Sequence, residues 1–140
     1  MKSYLLDTNI VSEIRKSKAH GGVLSWINQL PSDRMFVSAV SLGELQKGVE
    51  ITRKQDRTKA GEIETWIDRI EATYSVLAMD GRCFREYARL MRGLSTALSE
   101  DAMIAATARI HSLTVATRNE ADFIHLRVET FNPFKYRGSD

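Results

Sequence analysis

Four carboxylates, Asp7, Glu44, Asp101 and Asp122, fall where apolar, strand-like runs give way to polar turns or helix starts. Asp7 directly follows Tyr4-Leu5-Leu6, and Glu44 lies in the expected first turn of the helix after the Met35–Val37 run. Asp101 opens an Ala-rich stretch, and Asp122 follows the Leu113–Ala116 run within Thr117-Arg118-Asn119-Glu120-Ala121-Asp122-Phe123. Carboxylates gathered in one cleft repel one another unless a cation lies among them. Oxygen donors without His or Cys select a hard ion, Mg²⁺ or Mn²⁺. His20, His111 and His125 share no metal-ligand spacing and are expected at the surface or at helix ends.

Each acid also has an architectural reading. Asp7 suits a helix N-cap. Ser41 with Glu44, and Thr117 with Glu120, match capping boxes. Asp101 in a first helical turn is favoured by the helix dipole alone. The catalytic reading therefore depends on the elements that would bring the acids to one edge.

Those elements alternate. Strands are expected at 3–6, Met35–Val37, Ser75–Met79, Leu113–Ala116 and Val128–Phe131. A short helix carries Ile10 and Ile14; Gly21-Gly22 breaks the chain, and a second helix runs from Val23 to Leu30, stopped by Pro31. Leu42, Leu45 and Val49 share one side of a helix from Ser41 to about Ile51. Ile63, Trp66, Ile67 and Ile70 repeat at the helical period. Cys83–Leu94 is amphipathic, and Asp101 starts a helix to about His111. Strands alternating with helices imply an α/β fold with a central, mostly parallel twisted sheet of about five strands. Ligands bind such sheets beyond the carboxyl ends of the strands, the edge where the four acids would meet. Ala102, Ala105, Ala106 and Ala108 keep the Asp101 helix slim, so that it can approach the sheet closely.

Length and composition set the frame. The 140 residues, 43% hydrophobic and 27% charged, fit one globular domain with its own core, 1–140. The only prolines are Pro31 and Pro133, and no linker-like stretch divides the chain; the polar tail after Pro133 is expected to be loose. Cys83 is the only cysteine, which fits a reducing compartment. Tyr4-Leu5-Leu6 is too short for a signal peptide or a membrane span, so the expected location is the cytoplasm. A net charge of +2 says little about nucleic acid. The clusters say more: Arg15-Lys16-Ser17-Lys18, Arg53-Lys54 with Arg57 and Lys59, and Arg82, Arg85, Arg89 and Arg92.

With these residues in view the chain resembles PIN-domain ribonucleases, and within them the VapC-type toxins of bacterial toxin–antitoxin modules. The resemblance is carried by Leu5-Leu6-Asp7-Thr8-Asn9, Ser38-Ala39-Val40-Ser41-Leu42-Gly43-Glu44-Leu45, Asp101-Ala102-Met103-Ile104-Ala105-Ala106-Thr107-Ala108, Thr117-Arg118-Asn119 through Asp122-Phe123, and Asn132-Pro133-Phe134. It implies a PIN-like fold, a Mg²⁺- or Mn²⁺-dependent endoribonuclease, a homodimer, and inhibition by a VapB-like antitoxin. By matching position Asp7, Glu44 and Asp101 are the metal-site acids. Asp122 is the fourth, with Asn119 standing where some relatives carry an acid. The Gly93–Ser99 segment departs from the Gly-Arg-Pro-like loop of many relatives.

A bound divalent ion lowers the pKa of its water and clamps a phosphate oxygen, which phosphodiester hydrolysis requires. Thr8, Asn9, Ser38 and Thr117 are short polar groups suited to holding carboxylates or waters in place. Arg15, Lys16 and Lys18 are the first choice for the RNA backbone, and no aromatic platform for bases stands out. Two stripes are candidate antitoxin grooves as well as core faces: Ile63, Trp66, Ile67 and Ile70, and Val23, Trp26, Ile27 and Leu30. Two other readings keep related folds, a structure-specific DNA nuclease and a PIN domain that only binds RNA. A phospho-acceptor domain fits poorly, because Asp7 is followed by Thr8-Asn9 and the fourth strand leads to Thr117-Arg118.

Overall fold

Leu5 and Leu6 are both fully buried, although neighbouring residues of a strand point to opposite faces. Their sheet is therefore covered on both sides, as parallel sheets are. The computed structural model describes residues 1–138. In chain order its elements are β1 (Tyr4–Leu6), α1 (Thr8–Arg15), α2 (Gly21–Gln29), β2 (Met35–Ser38), α3 (Ala39–Arg53), α4 (Arg57–Thr73), β3 (Ser75–Leu77), α5 (Gly81–Leu90), α6 (Ser99–Ile110), β4 (Thr114–Ala116) and β5 (Thr130–Phe131). Every strand pairing is parallel, in the order β3-β2-β1-β4-β5. The α/β class and the five strands expected from the sequence are present.

Leu5 and Val115 belong to one core with Ala102, Ile104, Ala105, Ala106 and Ala108 of α6. Leu6 and Ala116 belong to the other, with Ile10, Val23, Trp26, Val37 and Ile70. The four alanines of α6 are fully buried, the close packing their size permits. Val49, Ala60 and Ile67 form a smaller cluster where α3 meets α4. The chain leaves β1 toward β2 on one side, while β4 pairs on the other. The carboxyl ends of β1 and β4 are thus a topological switch point, where open α/β sheets hold ligands.

Several expectations are corrected. Gly21 and Gly22 do not break the chain but form the first turn of α2, capped by His20, whose Nδ1 accepts from Gly22 N at 3.1 Å. A Cβ at Gly22 would stand 3.1 Å from the His20 ring and 3.2 Å from the Pro133 carbonyl oxygen, so the glycine answers a close approach. α3 starts at Ala39 rather than Ser41, because Ser38 is the cap: its Oγ accepts from Val40 N at 3.0 Å. α5 ends at Leu90 rather than Leu94; Gly93, at φ +77°, turns the chain away. Val23, Trp26 and Ile27 are buried in the core, and so are Ile67 and Ile70. Neither apolar stripe is therefore an open groove. The tail after Pro133 begins with a 3-10 turn, Pro133–Lys135, whose Phe134 ring lies 4.8 Å from the His20 ring. Its last two residues lie outside the described ones. Among the described residues no helix is long and apolar enough to cross a membrane.

Candidate active site

The register of the sheet sets Asp7 beside Thr117. Leu6 pairs with Ala116, and Asp7 N continues the ladder by donating to the Ala116 carbonyl at 2.9 Å. The residues that follow, Asp7 and Thr117, are thereby neighbours, Asp7 lining a cleft and Thr117 fully buried beside it. Asp7 is 6% exposed and caps α1, its Oδ1 accepting from Thr8 N at 2.8 Å. Its Oδ2 accepts from Thr117 Oγ1 at 2.8 Å and from Asn9 Nδ2 at 3.1 Å. The cap reading and the site reading of Asp7 thus describe the same geometry. Its carboxyl is raised above the usual range, chiefly by burial; the three donors pull it back down, and the charge of Asp122 pushes it further up.

Thr8, Asn9, Glu44, Asp101 and Asn119 join Asp7 around a cleft of about 450 Å³, together with Ser12, Glu13, Lys16, Arg118 and Phe134. Glu44 lies one turn deeper in α3 than expected, because the helix begins earlier. Thr8 Oγ1 donates toward Ser41 Oγ at 2.8 Å and Glu44 Oε1 at 3.1 Å, tying α1 to α3. Ser41 is therefore a buried tie between helices rather than half of a capping box. Thr117 and Glu120 do not form one either: Thr117 Oγ1 accepts from Asn119 N at 3.0 Å, and Glu120 Oε2 accepts from Thr130 Oγ1.

Glu44 is pushed up to about 7, first by burial, then by the charge of Glu100 and a hydrogen bond with it, and by Asp7. Asp101, in the first turn of α6, is pushed up to about 6 by burial and then by Asp7, Asp122 and Glu100. Asp122 is exposed at the start of a 3-10 segment, Glu120–Leu126, and reaches Asp7 and Asp101 through its charge. Asn119, not Asp122, lines the cleft. Glu100 was missed by sequence reasoning; its position beside Asp101 was the available signal.

Ser38, fully buried at the cap of α3, does not line the cleft. Of the basic residues singled out, Lys16 lines it and Arg15 and Lys18 do not. Lys16 is already paired, its Nζ 2.9 Å from Glu13 Oε1, while Glu13 Oε2 accepts from His20 N at 3.0 Å. His20 and His111 stand at helix ends, as expected.

The donor chemistry fits a hard cation: the titratable groups at the centre are oxygen acids, and burial first, then neighbouring acids, have raised three of them. Among the described residues no three Asp, Glu, His or Cys side chains stand close enough to enclose an ion unaided. Mg²⁺ needs no such cage, because it keeps several waters and takes one or two carboxylates.

A PIN-domain family model matches residues 4–129. The chain belongs to the PIN-domain family. Within it, Toxin FitB of Neisseria gonorrhoeae is 31% identical over 93% of this chain and 97% of its own length. The crystal structure of FitAcB from that organism superposes with a TM-score of 0.83 at 30% identity, over 94% of this chain and 99% of that one. VapC ribonuclease Y4jK of Sinorhizobium fredii is 30% identical over 94% of this chain and 97% of its own length. A toxin–antitoxin complex from Klebsiella pneumoniae holds a chain of the same fold, with a TM-score of 0.68 at 22% identity over 94% of this chain and 98% of that one. The homologues of this PIN domain are thus the VapC and FitB toxins.

Thr117 offers a local test of the site. Its buried hydroxyl fixes the Asp7 carboxylate from a residue 110 positions away. Thr117→Val keeps the shape and removes that donor. Partners of this kind are worth about 10- to 100-fold in metal affinity or activity. A loss of that size in RNA cleavage is expected, with an unchanged circular-dichroism spectrum; cleavage within twofold of wild type would contradict the assignment.

Proposed function

We propose that this protein is a toxin-type, metal-dependent endoribonuclease that hydrolyses RNA phosphodiester bonds in the cytoplasm. The observation that carries this reading is the convergence of Asp7, Glu44 and Asp101 in one cleft, each with a carboxyl raised by burial and by neighbouring acids. The naming of its relatives as toxins and ribonucleases supports the substrate and the biological class.

In this reading Asp7 and Asp101 hold the principal Mg²⁺ or Mn²⁺ ion, Glu44 completes that site or orients the attacking water, and Asp122 helps with a second ion. The ion, when bound, lowers the pKa of a water and neutralises charge that builds on the phosphate. The chain itself supplies position. Thr117, Asn9 and the Thr8 amide leave Asp7 no rotational freedom. Thr8 holds Glu44 on the same side. Burial and then Glu100 hold the Glu44 carboxyl up at about 7; its charged form, which a bound ion would favour, can accept a hydrogen bond from the attacking water.

The partner in this reading is a VapB-like antitoxin, in keeping with the toxin–antitoxin complex found among the structural neighbours. An arginine or lysine of that partner would supply the cation the acids lack. The PIN domain would act over 1–140 as a homodimer, alone or in a larger assembly with the antitoxin. The test is cleavage of single-stranded RNA and of flap DNA, each with Mg²⁺ and with excess chelator. Cleavage of RNA that needs the metal, with flap DNA left intact, is the expected result. Metal-independent cleavage, or preference for the flap, would refute the reading.

A further inference from the structure

A basic and an aromatic side chain meet at the wall of the cleft, and nothing in the acid chemistry uses them. The Arg118 guanidinium carbon lies over the Phe134 ring, 4.5 Å from its centroid, and both residues line the cleft. Phe134 is held in place: the His20 ring lies 4.8 Å from it, and Asn132 Oδ1 caps its turn by accepting from Phe134 N at 3.0 Å. Arg118 is exposed, and among the described residues its guanidinium makes no salt bridge. The guanidinium thus has the ring on one side while the residue as a whole remains exposed to solvent. The Arg118 backbone is tied to the acids through one residue. Asn9 Oδ1 accepts from Arg118 N at 3.2 Å, while Asn9 Nδ2 donates to Asp7 Oδ2 at 3.1 Å.

Resting on the ribonuclease reading, we infer that Arg118, backed by Phe134, is a stacking platform for an unpaired nucleobase next to the scissile phosphate. Three features favour a base over a bare phosphate. The guanidinium is planar, it is the kind of surface on which splayed-out RNA bases stack, and an aromatic ring lies within cation–π distance of it at the cleft wall. A phosphate contact alone would need only a charge, which a lysine brings as well as an arginine. The platform makes the enzyme select single-stranded substrate, because a paired base cannot leave its stack without cost. No aromatic platform stands out in the sequence, and the platform inferred is the guanidinium with Phe134 beside it. Phe134 lies far from Asp7 in sequence, so no local spacing announces it.

The experiment uses the full chain and short single-stranded RNAs carrying 2-aminopurine, a base whose fluorescence falls on stacking, at successive positions. Binding is measured in chelator and cleavage in Mg²⁺. Wild type is expected to quench the probe at one position beside the cleavage point. Arg118→Lys keeps the charge and loses the plane. It should bind about tenfold more weakly, the scale of one stacked base, with the quench lost, KM raised and kcat little changed. Its dependence of affinity on salt should match wild type, since the number of phosphates neutralised is unaltered. Phe134→Leu, checked for folding by its melting temperature, should move quench and KM the same way. If wild type leaves RNA uncut, the ribonuclease reading and this inference fall together. If wild type cuts RNA and Arg118→Lys keeps both the quench and the KM, the platform alone is overturned.

Discussion

Asp7→Asn is expected to lower metal-dependent RNA cleavage by more than about a hundredfold, beyond what loss of a supporting hydrogen bond gives, while the protein stays folded. The stability half of this expectation follows from the contacts of Asp7. Asparagine is as good an N-cap as aspartate, so the bond from Thr8 N survives. The Thr117 hydroxyl can rotate to accept from the new amide in place of donating, while the bond from Asn9 Nδ2 is lost because two donors then face each other. The buried charge that raised the carboxyl disappears, and with it the repulsion from Asp122. The melting temperature should therefore hold or rise in the absence of metal. Purified wild type and variant, compared for cleavage at saturating Mg²⁺ and for melting in chelator, check both halves. Turnover near that of wild type would remove Asp7 from the chemistry. Loss of activity with a collapsed melting temperature would assign it to architecture instead.

The parts of this site that were legible in the sequence are those written locally. An unbroken apolar run ending on Asp7 marks a strand buried on both faces, and Leu5 and Leu6 divide between the two cores. The four alanines after Asp101 mark a helix that lies close to the sheet. What was not legible depends on partners distant in the chain. Ser41 and Glu44 match a capping box by spacing, but the serine three residues earlier, Ser38, ends β2 and takes the cap. This leaves Ser41 inside the helix, where Thr8 finds it. Glu100 gains its importance only because α6 lies against Glu44 of α3. Lys16 and Arg118 could not be chosen over Arg15 and Lys18 by charge, because all are basic and exposed. The turn after β4 and the end of α1 decide which of them faces the acids.

Burial of these acids, and then the repulsion among them, sets how stability should depend on pH and metal. Asp101, up to about 6 from 3.8, and Glu44, up to about 7 from 4.5, both bind protons more tightly in the folded chain than the unfolded one. The unfolded state then carries fewer protons than the native state between those values, and stability falls as pH rises. Their contribution is complete below the unfolded pKa values and is lost as pH climbs through about 6 and then about 7. Metal-free protein should therefore lose melting temperature between pH 5 and pH 8 through these groups. A divalent ion needs the ionised carboxylates, so it acts in the opposite direction. At pH 8 and a hundredfold excess over Kd, Mn²⁺ should add about 2.7 kcal/mol. For a chain of this size that is on the order of 5–10 °C in the melting temperature. At pH 5 the ion competes with protons and the shift should shrink, and in Asp101→Asn it should be small at both values. Thermal melts of wild type and variant at the two pH values, with and without Mn²⁺, check the whole set. A Mn²⁺ shift equal at pH 5 and pH 8, or unchanged in Asp101→Asn, would mean that the ion binds elsewhere and that crowding among Asp7, Glu44 and Asp101 serves no cation.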